Sequence, residues 1–365
     1  MYSVYENGYI FNCKRYYVNQ VEGGKCAAMT IYDISEKAGV SIATVSRVLN
    51  GNTNVKPKTK KRVMDVIEEY GYTPNAFARG LGLNTMNTIG ILCADSSDLY
   101  LAKAVYYIEQ LLRENGYNSI LCCTGYDFQT KKSSMELLLS KRVDSVIMVG
   151  SNFISDDADS NQYIKDAATQ IPVMLLNADY DYPNVYCTLC DDYKSILEAT
   201  QTLFASGIHN VLYLYNSQSY SGLKKLSGYQ AAILQSSRPF RPEFAQYYNG
   251  ERENIDAIAD FLTQITESGI CFDGIVTSDD ILAIGAMKYC KRKNLSVPDD
   301  FAIIGYNNSL LASCCEPPLT SVDSHLHTLC NQLVKTLMGV LSDQEMPQKV
   351  IFSGELKIRG TTRSF

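Results

Sequence analysis

Thr30-Ile-Tyr-Asp-Ile-Ser-Glu-Lys-Ala-Gly-Val-Ser-Ile-Ala-Thr-Val-Ser-Arg-Val-Leu-Asn50 is the segment that decides the fold of the first part of this chain. Thr30 can cap a helix, and Asp33 completes an approximate capping box with it. Gly39 supplies the left-handed conformation that ends the helix, and Ser41 can cap the next one. The apolar positions at helical spacing in the first helix are Ile31, Ile34 and Ala38. The pattern predicts two short helices joined by a tight turn, which is a helix-turn-helix that fits the major groove of DNA.

The second helix has an apolar inner face and a small, polar outer face. Its inner residues are Val45, Val48 and Leu49. A third helix is predicted from about Lys58 to Tyr70 and stops at Gly71, with an apolar stripe of Val63, Val66, Ile67 and Tyr70. An ordinary helical hairpin is the alternative, but the outer face and the nearby cations favour DNA. The residues predicted at the DNA surface are Thr30, Ser41, Ile42, Ala43, Thr44, Ser46, Arg47, Asn50 and, further along, Lys56 and Arg79.

The charge of the chain is divided unevenly. The net charge is −6 over 365 residues, but residues 29–90 hold eight Lys or Arg and five Asp or Glu. Residues 91–365 carry a net charge of −10. A small basic head on an acidic body can neutralise phosphates while the body stays off the duplex.

Membrane segments and targeting signals are not predicted. No apolar run approaches the roughly 20 residues that a membrane-spanning helix needs. Residues 1–28 also lack the apolar core of a signal peptide, so we expect a cytoplasmic protein. These residues match nothing downstream. We interpret them as a leader that either is not translated, with the start at Met29, or has no fixed structure.

The 12 cysteines and three histidines do not form a metal-binding pattern. Cys187-Thr-Leu-Cys190 is the only CxxC sequence, and no second pair or suitably spaced histidine accompanies it. The cysteines are interpreted as buried free thiols, and no metal or cofactor is predicted.

From Thr88 onward, short β-branched runs alternate with amphipathic helices in two successive series. This alternation predicts parallel sheets with helices on both faces, and two series predict two doubly wound lobes. Ligands of such sheets bind beyond the carboxyl ends of the strands, so the cleft between the lobes is the expected site. A final helix near residues 324–341 and a strand near 349–358 indicate several crossings between the lobes.

Several separate motifs resemble those of the LacI/GalR family of bacterial transcription regulators. They are Ala38 to Asn50, Tyr72-Thr-Pro-Asn-Ala-Phe-Ala-Arg-Gly-Leu81, Thr88-Ile-Gly-Ile91, Val297-Pro-Asp-Asp-Phe-Ala-Ile-Ile-Gly305 and Pro317-Pro-Leu-Thr-Ser-Val322. The resemblance covers Met29 to about Arg363. It implies an all-α helix-turn-helix head at 29–73, a hinge helix and linker at 74–87, and an α/β core at 88–365 like the periplasmic sugar-binding proteins. We expect an N-lobe of about 88–188 plus 319–345 and a C-lobe of about 189–318 plus 346–365.

The resemblance also implies roles for head residues. The base-reading positions of the family fall on Ile42, Ala43 and Arg47, and an Ile-Ala pair resembles the galactose-type repressors. Arg47 is expected to contact a guanine edge, with a phosphate contact as the alternative. Leu81 matches the hinge leucine that wedges into the minor groove, although a linker leucine can instead pack on its own protein. Two hinge helices must lie together, so we expect a homodimer on a near-palindromic operator.

For the core, the resemblance implies an effector cleft lined by Tyr100, Leu101, Asn177 and Asp280. Asp280 could instead serve only as a helix cap. Leu223 stands where many relatives carry arginine, and Lys224 either substitutes for it or faces solvent. We expect a repressor released by a galactoside-like sugar. An activator or a corepressor-dependent repressor uses the same parts, and a solute-binding protein or an enzyme on this core is the rival class.

Overall fold

In the computed structural model of this protein, the described residues are 29–49, 54–72, 85–155, 157, 159–236, 238–239 and 241–363. They form two compact units, which we call the head (29–72) and the core (85–363). The leader at residues 1–28 and residues 74–84 of the hinge helix and linker predicted at 74–87 lie outside the described residues. Residues 85–87, which we had placed in the linker, belong to the core, where the backbone of Met86 and Thr88 donates hydrogen bonds to Asp144.

The head is built from the three helices that the sequence predicts. They are α1 (Ile31–Lys37), α2 (Ile42–Leu49) and α3 (Pro57–Tyr70). Thr30 and Asp33 form the predicted capping box, with the Thr30 amide 2.8 Å from the Asp33 carboxylate. Gly39 and Gly71 both adopt the left-handed conformation at the helix ends. The buried core consists of Ile34, Ala38, Val45, Val48 and Val63. Tyr70, which we had placed on the inner stripe, is exposed.

The core contains two mostly parallel sheets, as predicted, and each has six strands among the described residues. The first sheet has the spatial order β11-β5-β4-β3-β1-β2 and is parallel throughout. Its strands are β1 (Thr88–Cys93), β2 (Asn118–Cys123), β3 (Ser145–Val149), β4 (Val173–Leu176), β5 (Val185–Cys190) and β11 (Lys349–Phe352). The second sheet has the order β12-β10-β9-β8-β6-β7, with only β12 antiparallel within the described part. Its strands are β6 (Val211–Tyr215), β7 (Ala245–Tyr247), β8 (Gly274–Thr277), β9 (Ala302–Tyr306), β10 (Thr320–Asp323) and β12 (Glu355–Lys357).

Helices cover both faces of the first sheet because its buried strands place alternate side chains on opposite faces. Ile89, Ile91 and Cys93 of β1 pack in one apolar cluster, while Leu92 packs in the other. The helices of the core are α4 (Leu99–Glu114), α5 (Phe128–Ser140), α6 (Gln162–Ala168), α7 (Asp192–Ala205), α8 (Tyr220–Gln235), α9 (Ile255–Glu267), α10 (Asp280–Lys293), α11 (Leu310–Cys314) and α12 (Leu326–Leu341). Helices α4 and α12 contribute to the first cluster, and α5 and α6 to the second.

Two of the predicted lobe boundaries are wrong. Strand β10 pairs with β9 and therefore belongs to the second lobe, although we had assigned residues from 319 to the first. Strand β11 pairs with β5 in the first lobe, although we had assigned residues from 346 to the second. The strand predicted near 349–358 is in fact two strands in different sheets. The sheet to which a short strand belongs is set by distant partners, which a local pattern does not reveal.

The chain thus passes between the lobes after β5, after β10 and after β11. Strand β5, which we had not predicted, provides the first of these passages. The carboxyl ends of parallel strands from both sheets border the same cleft: β3 and β4 in the first lobe, and β6, β8 and β9 in the second. None of the helices in the described part of the chain is long and apolar enough to cross a membrane.

Candidate functional site

The outer face of α2 carries the side chains that the sequence predicts for DNA contact. Ile42, Ala43 and Arg47 are exposed, while Val45 and Val48 hold the opposite face in the core of the head. Ser41 caps α2 by accepting a hydrogen bond from the Thr44 amide at 3.2 Å, and the two hydroxyl groups lie 2.9 Å apart. Ser46 is half-buried, and Thr30 is exposed beside its capping partner. The structure therefore presents a rigid helix with a small outer surface and one long cation, Arg47.

A second group of exposed cations lies at the start of α3. Lys56, Lys58, Lys60, Lys61 and Arg62 are exposed at the start of α3. Such side chains suit phosphate contacts, which position a protein on the duplex without reading its sequence. The predicted contacts Asn50, Arg79 and Leu81 lie outside the described residues.

A cavity of about 460 Å³, which we call the main cavity, lies between the two lobes of the core. The first lobe contributes the loop before α4 and the ends of β3 and β4 to its lining. The second lobe contributes the ends of β6, β8 and β9 and the loop after β7. Most lining side chains carry hydroxyl, amide or charged groups. The polar lining includes Asn152, Asn177, Asn216, Ser221 and Ser278.

An arginine joins the two lobes across this cavity. Arg252, in the loop after β7, forms ion pairs with Asp98 of the first lobe and with Asp279 of the second, at 3.0 Å for Asp279. Asp98 also caps α4 through the amides of Tyr100 and Leu101, and Asp279 caps α10 through the amide of Leu282. Both carboxylate side chains are at most 6% exposed. Arg252 therefore ties the N-termini of two helices from opposite lobes, and a change in lobe spacing must stretch these contacts.

A second cluster of polar side chains in the lining of the main cavity comprises Asp192, Lys225 and Tyr306. The Tyr306 hydroxyl donates a hydrogen bond to Asp192 at the start of α7. The Lys225 ammonium lies 3.6 Å from the centroid of the Tyr306 ring and donates to the Ser278 carbonyl at 3.1 Å. Burial lowers the pKa of Lys225, while Asp192 and Asp279 oppose this change. The positive charge of Lys225 is thus already compensated by the protein.

Two buried polar atoms of the lining lack a hydrogen-bond partner among the described residues: Asn177 Oδ1 and Arg252 Nε. The other end of the Asn177 amide donates to the Tyr100 hydroxyl, which also lies 3.5 Å from Ser324. An unpaired buried acceptor and an unpaired buried donor are costly, and a ligand with hydroxyl groups can satisfy both.

Among the predicted effector residues, Tyr100, Leu101 and Asn177 line the main cavity. Lys224 does not: it is exposed and lies near the Tyr220 ring, whereas Lys225 takes the inward position. Adjacent residues on a helix point about 100° apart, so an error of one position changes which face a side chain occupies.

Asp280 does not line the main cavity, whereas its neighbour Asp279 does. The Asp280 carboxylate accepts hydrogen bonds from the Ser321 hydroxyl at 2.6 Å and from the Ser309 amide at 2.7 Å. Burial raises the pKa of Asp280 to about 6, although these hydrogen bonds lower it. A side chain on Gly305 would lie 2.4 Å from this carboxylate, so glycine is needed there. In this structure Asp280 joins α10 to β10.

The sequence did not single out Arg252, Asp192, Lys225 or Tyr306 as site residues. Arg252 lies in a short loop without a recognisable motif, and its two partners are 154 and 27 residues away. Asp192 lies two residues after Cys190, the last residue of β5, so recognising β5 would have indicated it as a site residue. Polar residues at the carboxyl ends of parallel strands are the general signal for such a site.

The described residues contain no cluster of three His, Cys, Asp or Glu side chains that could hold a metal ion. Cys187 and Cys190 of the CxxC sequence are free buried thiols, and burial raises the pKa of each to about 11. The expectation of buried thiols is wrong for Cys123, Cys271 and Cys314, which are exposed.

Comparison with known families and proteins agrees with this architecture. Residues 30–75 match the family described as bacterial regulatory proteins, lacI family, and residues 200–362 match the periplasmic binding protein-like domain. An HTH-type transcriptional regulator of Lachnoclostridium phytofermentans is 52% identical over 334 residues, covering 92% of this chain and 99% of the relative. Catabolite control protein A of Priestia megaterium is 29% identical over 331 residues, covering 88% and 96%.

Solved structures share the fold. The lac repressor dimer bound to operator and an anti-inducer aligns with a TM-score of 0.81 at 23% identity, covering 92% of this chain and 100% of that chain. The complex of the transcriptional regulator CelR with cellobiose aligns with a TM-score of 0.66 at 22% identity, covering 91% and 99%.

A helix-turn-helix head followed by a two-lobed, periplasmic-binding-protein-like core defines a DNA-binding transcription regulator. The chain belongs to the LacI family of bacterial regulators. The relatives and structural neighbours reported above are transcription regulators rather than enzymes.

Proposed function

We propose that this regulator is a repressor whose operator affinity is controlled by a small neutral carbohydrate bound in the main cavity. The observation that carries the proposal is a polar cavity between two lobes, in which Asn177 Oδ1 and Arg252 Nε are buried without partners. Sugars offer many hydroxyl groups that both donate and accept, so they suit a lining of amides, hydroxyl groups and carboxylates.

The charges of the cavity favour a neutral ligand over a phosphorylated or acidic one. Lys225 and Arg252 are the cations of the described lining. Arg252 is shared between Asp98 and Asp279, and Lys225 is held by a carbonyl and an aromatic ring. An anion would have to displace these partners and would also meet Asp192. A galactoside-like sugar remains our preferred effector, on the strength of the Ile42-Ala43 pair alone.

Control of DNA binding follows from the position of the cavity. A ligand that contacts both lobes stabilises one lobe spacing over the other, and it can shift the equilibrium only by its difference in affinity for the two. We propose that the head binds DNA through Arg47 at a base edge and through Lys56 at phosphate. The DNA-binding form would be a homodimer on a near-palindromic operator in the cytoplasm, where the DNA is.

The test is isothermal titration calorimetry of the full chain with galactosides, glucosides and pentoses, together with glucose 6-phosphate and glucuronate as anionic probes. We expect a neutral sugar to bind, and the Asn177→Ala variant, which removes the unpaired acceptor, to lose most of that affinity. Preferential binding of the anionic probes would contradict a neutral effector. No binding of any sugar would contradict a carbohydrate effector altogether.

The alternative is a ligand that promotes DNA binding, as a corepressor or in an effector-activated regulator. The two are separated by the sign of the change in operator affinity when the calorimetric ligand is added.

A further inference from the structure

A second cavity continues the main cavity toward the surface of the core. This outer chamber, of about 480 Å³, is bordered by the start of α5, the turn after β3 and the start of α8. Four residues line both cavities: Tyr126, Asn152, Gln218 and Ser219. The shared residues come from both lobes, so the outer chamber and the main cavity are neighbouring parts of one cleft.

The lining of the outer chamber combines polar groups with a set of large aromatic and aliphatic side chains. The large side chains are Tyr126, Phe128, Phe153, Tyr163, Tyr220 and Leu223. Tyr126 is 56% exposed, and Phe128 and Leu223 are each 37% exposed, although all three are large and apolar. Exposed apolar side chains that gather at one concave surface mark a binding site more often than isolated ones do.

The aromatic wall is held in place from behind. The Phe128 ring meets the Tyr163 ring edge to face at a centroid distance of 6.0 Å. The Tyr163 hydroxyl donates to the Phe153 carbonyl at 3.1 Å. A ring fixed in this way offers a flat surface to a ligand at little cost in side-chain entropy.

The one charged side chain of the described lining of the outer chamber already has a hydrogen-bond partner in the protein. Lys131 is the charged side chain of its described lining, and its ammonium donates to the Asn152 carbonyl at 2.6 Å. The same ammonium lies 5.6 Å from the centre of the Phe153 ring. The chamber therefore offers aromatic and aliphatic surface together with polar groups, among them Asn152, Ser155, Ser160, Gln218 and Ser219.

We propose that the outer chamber is a second sugar subsite and that the effector is an oligosaccharide of at least two units. One unit would form hydrogen bonds in the main cavity, and the next would lay an apolar face of its ring on Tyr126 and Phe128. This inference rests on the proposed carbohydrate effector and specifies its length. It also gives Leu223 a role, since an arginine at this position would replace apolar contact surface with a charge.

The test compares each monosaccharide with its disaccharides by calorimetry on the full chain. The probes are glucose, galactose and xylose, their α- and β-linked disaccharides, and the matching trisaccharides. We expect at least one disaccharide to bind about tenfold or more tightly than its component units. In Phe128→Ala and Leu223→Ser, the ratio of disaccharide to monosaccharide affinity should fall about tenfold or to unity.

Matched controls lie on the same two helices. Leu137 on α5 and Leu234 on α8 are 48% and 68% exposed and line neither cavity. Leu137→Ala and Leu234→Ser should leave the affinity ratio unchanged, which separates a subsite effect from a general loss of stability.

The possible results decide between the two proposals. If a monosaccharide binds as tightly as every disaccharide, or if Phe128→Ala weakens both equally, the second subsite is wrong while the carbohydrate effector stands. If neither monosaccharides nor oligosaccharides bind, both proposals fail.

Discussion

The head and the core build their recognition surfaces in different ways. In the head, the exposed side chains of α2 come from eight consecutive residues, Ile42–Leu49, and five buried residues hold them in place. In the core, the main cavity is assembled from strand ends and loops that are more than 200 residues apart in sequence, from Asp98 to Tyr306. A surface from one helix can be understood from local sequence, whereas a cavity between lobes depends on the topology of the chain.

The largest expected effect tests whether the apolar core of the head supports DNA binding independently of sugar binding by the core. Ile34 is fully buried in the head, and Ile34→Ala should cost about 2–5 kcal/mol of head stability. Because the head is small, this loss should abolish DNA binding. Sugar binding by the core should persist in calorimetry. Met64→Ala, on the exposed side of α3, is the control and should leave DNA binding intact.

The next effect concerns the buried carboxyl group that joins α10 to β10. The pKa of Asp280 is raised to about 6 in the folded state, so the folded state binds more protons than the unfolded state between about pH 4 and 6. This group therefore lowers stability as pH rises through that window. The free energy of unfolding of Asp280→Asn minus that of the parent should therefore rise by about 2–3 kcal/mol from pH 4 to pH 7. Urea unfolding at both pH values measures the difference, and an unchanged difference would refute the raised pKa.

A smaller effect distinguishes an ion bridge in the cleft from one on the surface. Arg252 pairs with carboxylates that are at most 6% exposed, while Arg292 pairs with Asp256 and Asp260, which are 60% and 64% exposed. Arg252→Ala should lower stability by about 1–3 kcal/mol because both buried carboxylates lose a donor. Arg292→Ala should cost less than about 1 kcal/mol. Thermal unfolding of the two variants checks this, and equal losses would show that Arg252 does not tie the lobes.

The smallest effect is confined to one base pair. Arg47→Ala should cost about 1–3 kcal/mol at one position of the operator and relax the sequence preference there. Lys56→Ala should weaken binding to all sequences and reduce the salt dependence by about one phosphate contact. Anisotropy titrations on operators with single substitutions separate the two. Equal loss on random DNA would make Arg47 a phosphate contact.

The same contrast explains what could be predicted. The boundaries of α1 to α3 were predicted to within one residue, because caps, glycines and apolar spacing are local signals. The alternation of strands and helices also gave the two lobes. The predicted cleft residues were less accurate: Lys224 and Asp280 each lie one position from the residue that lines the cavity. Arg252 could not be identified, because nothing near it in sequence reveals that Asp98 and Asp279 lie beside it.

Above all, we propose that a sugar bound in the cleft of the core changes the affinity of the head for DNA. The most direct measurement is operator affinity by fluorescence anisotropy, on a duplex selected by the protein itself, across a titration of the sugar that binds in calorimetry. We predict that operator affinity falls about 5- to 150-fold, with half of the change at the calorimetric Kd of the sugar. An unchanged operator affinity at saturating sugar would contradict the account.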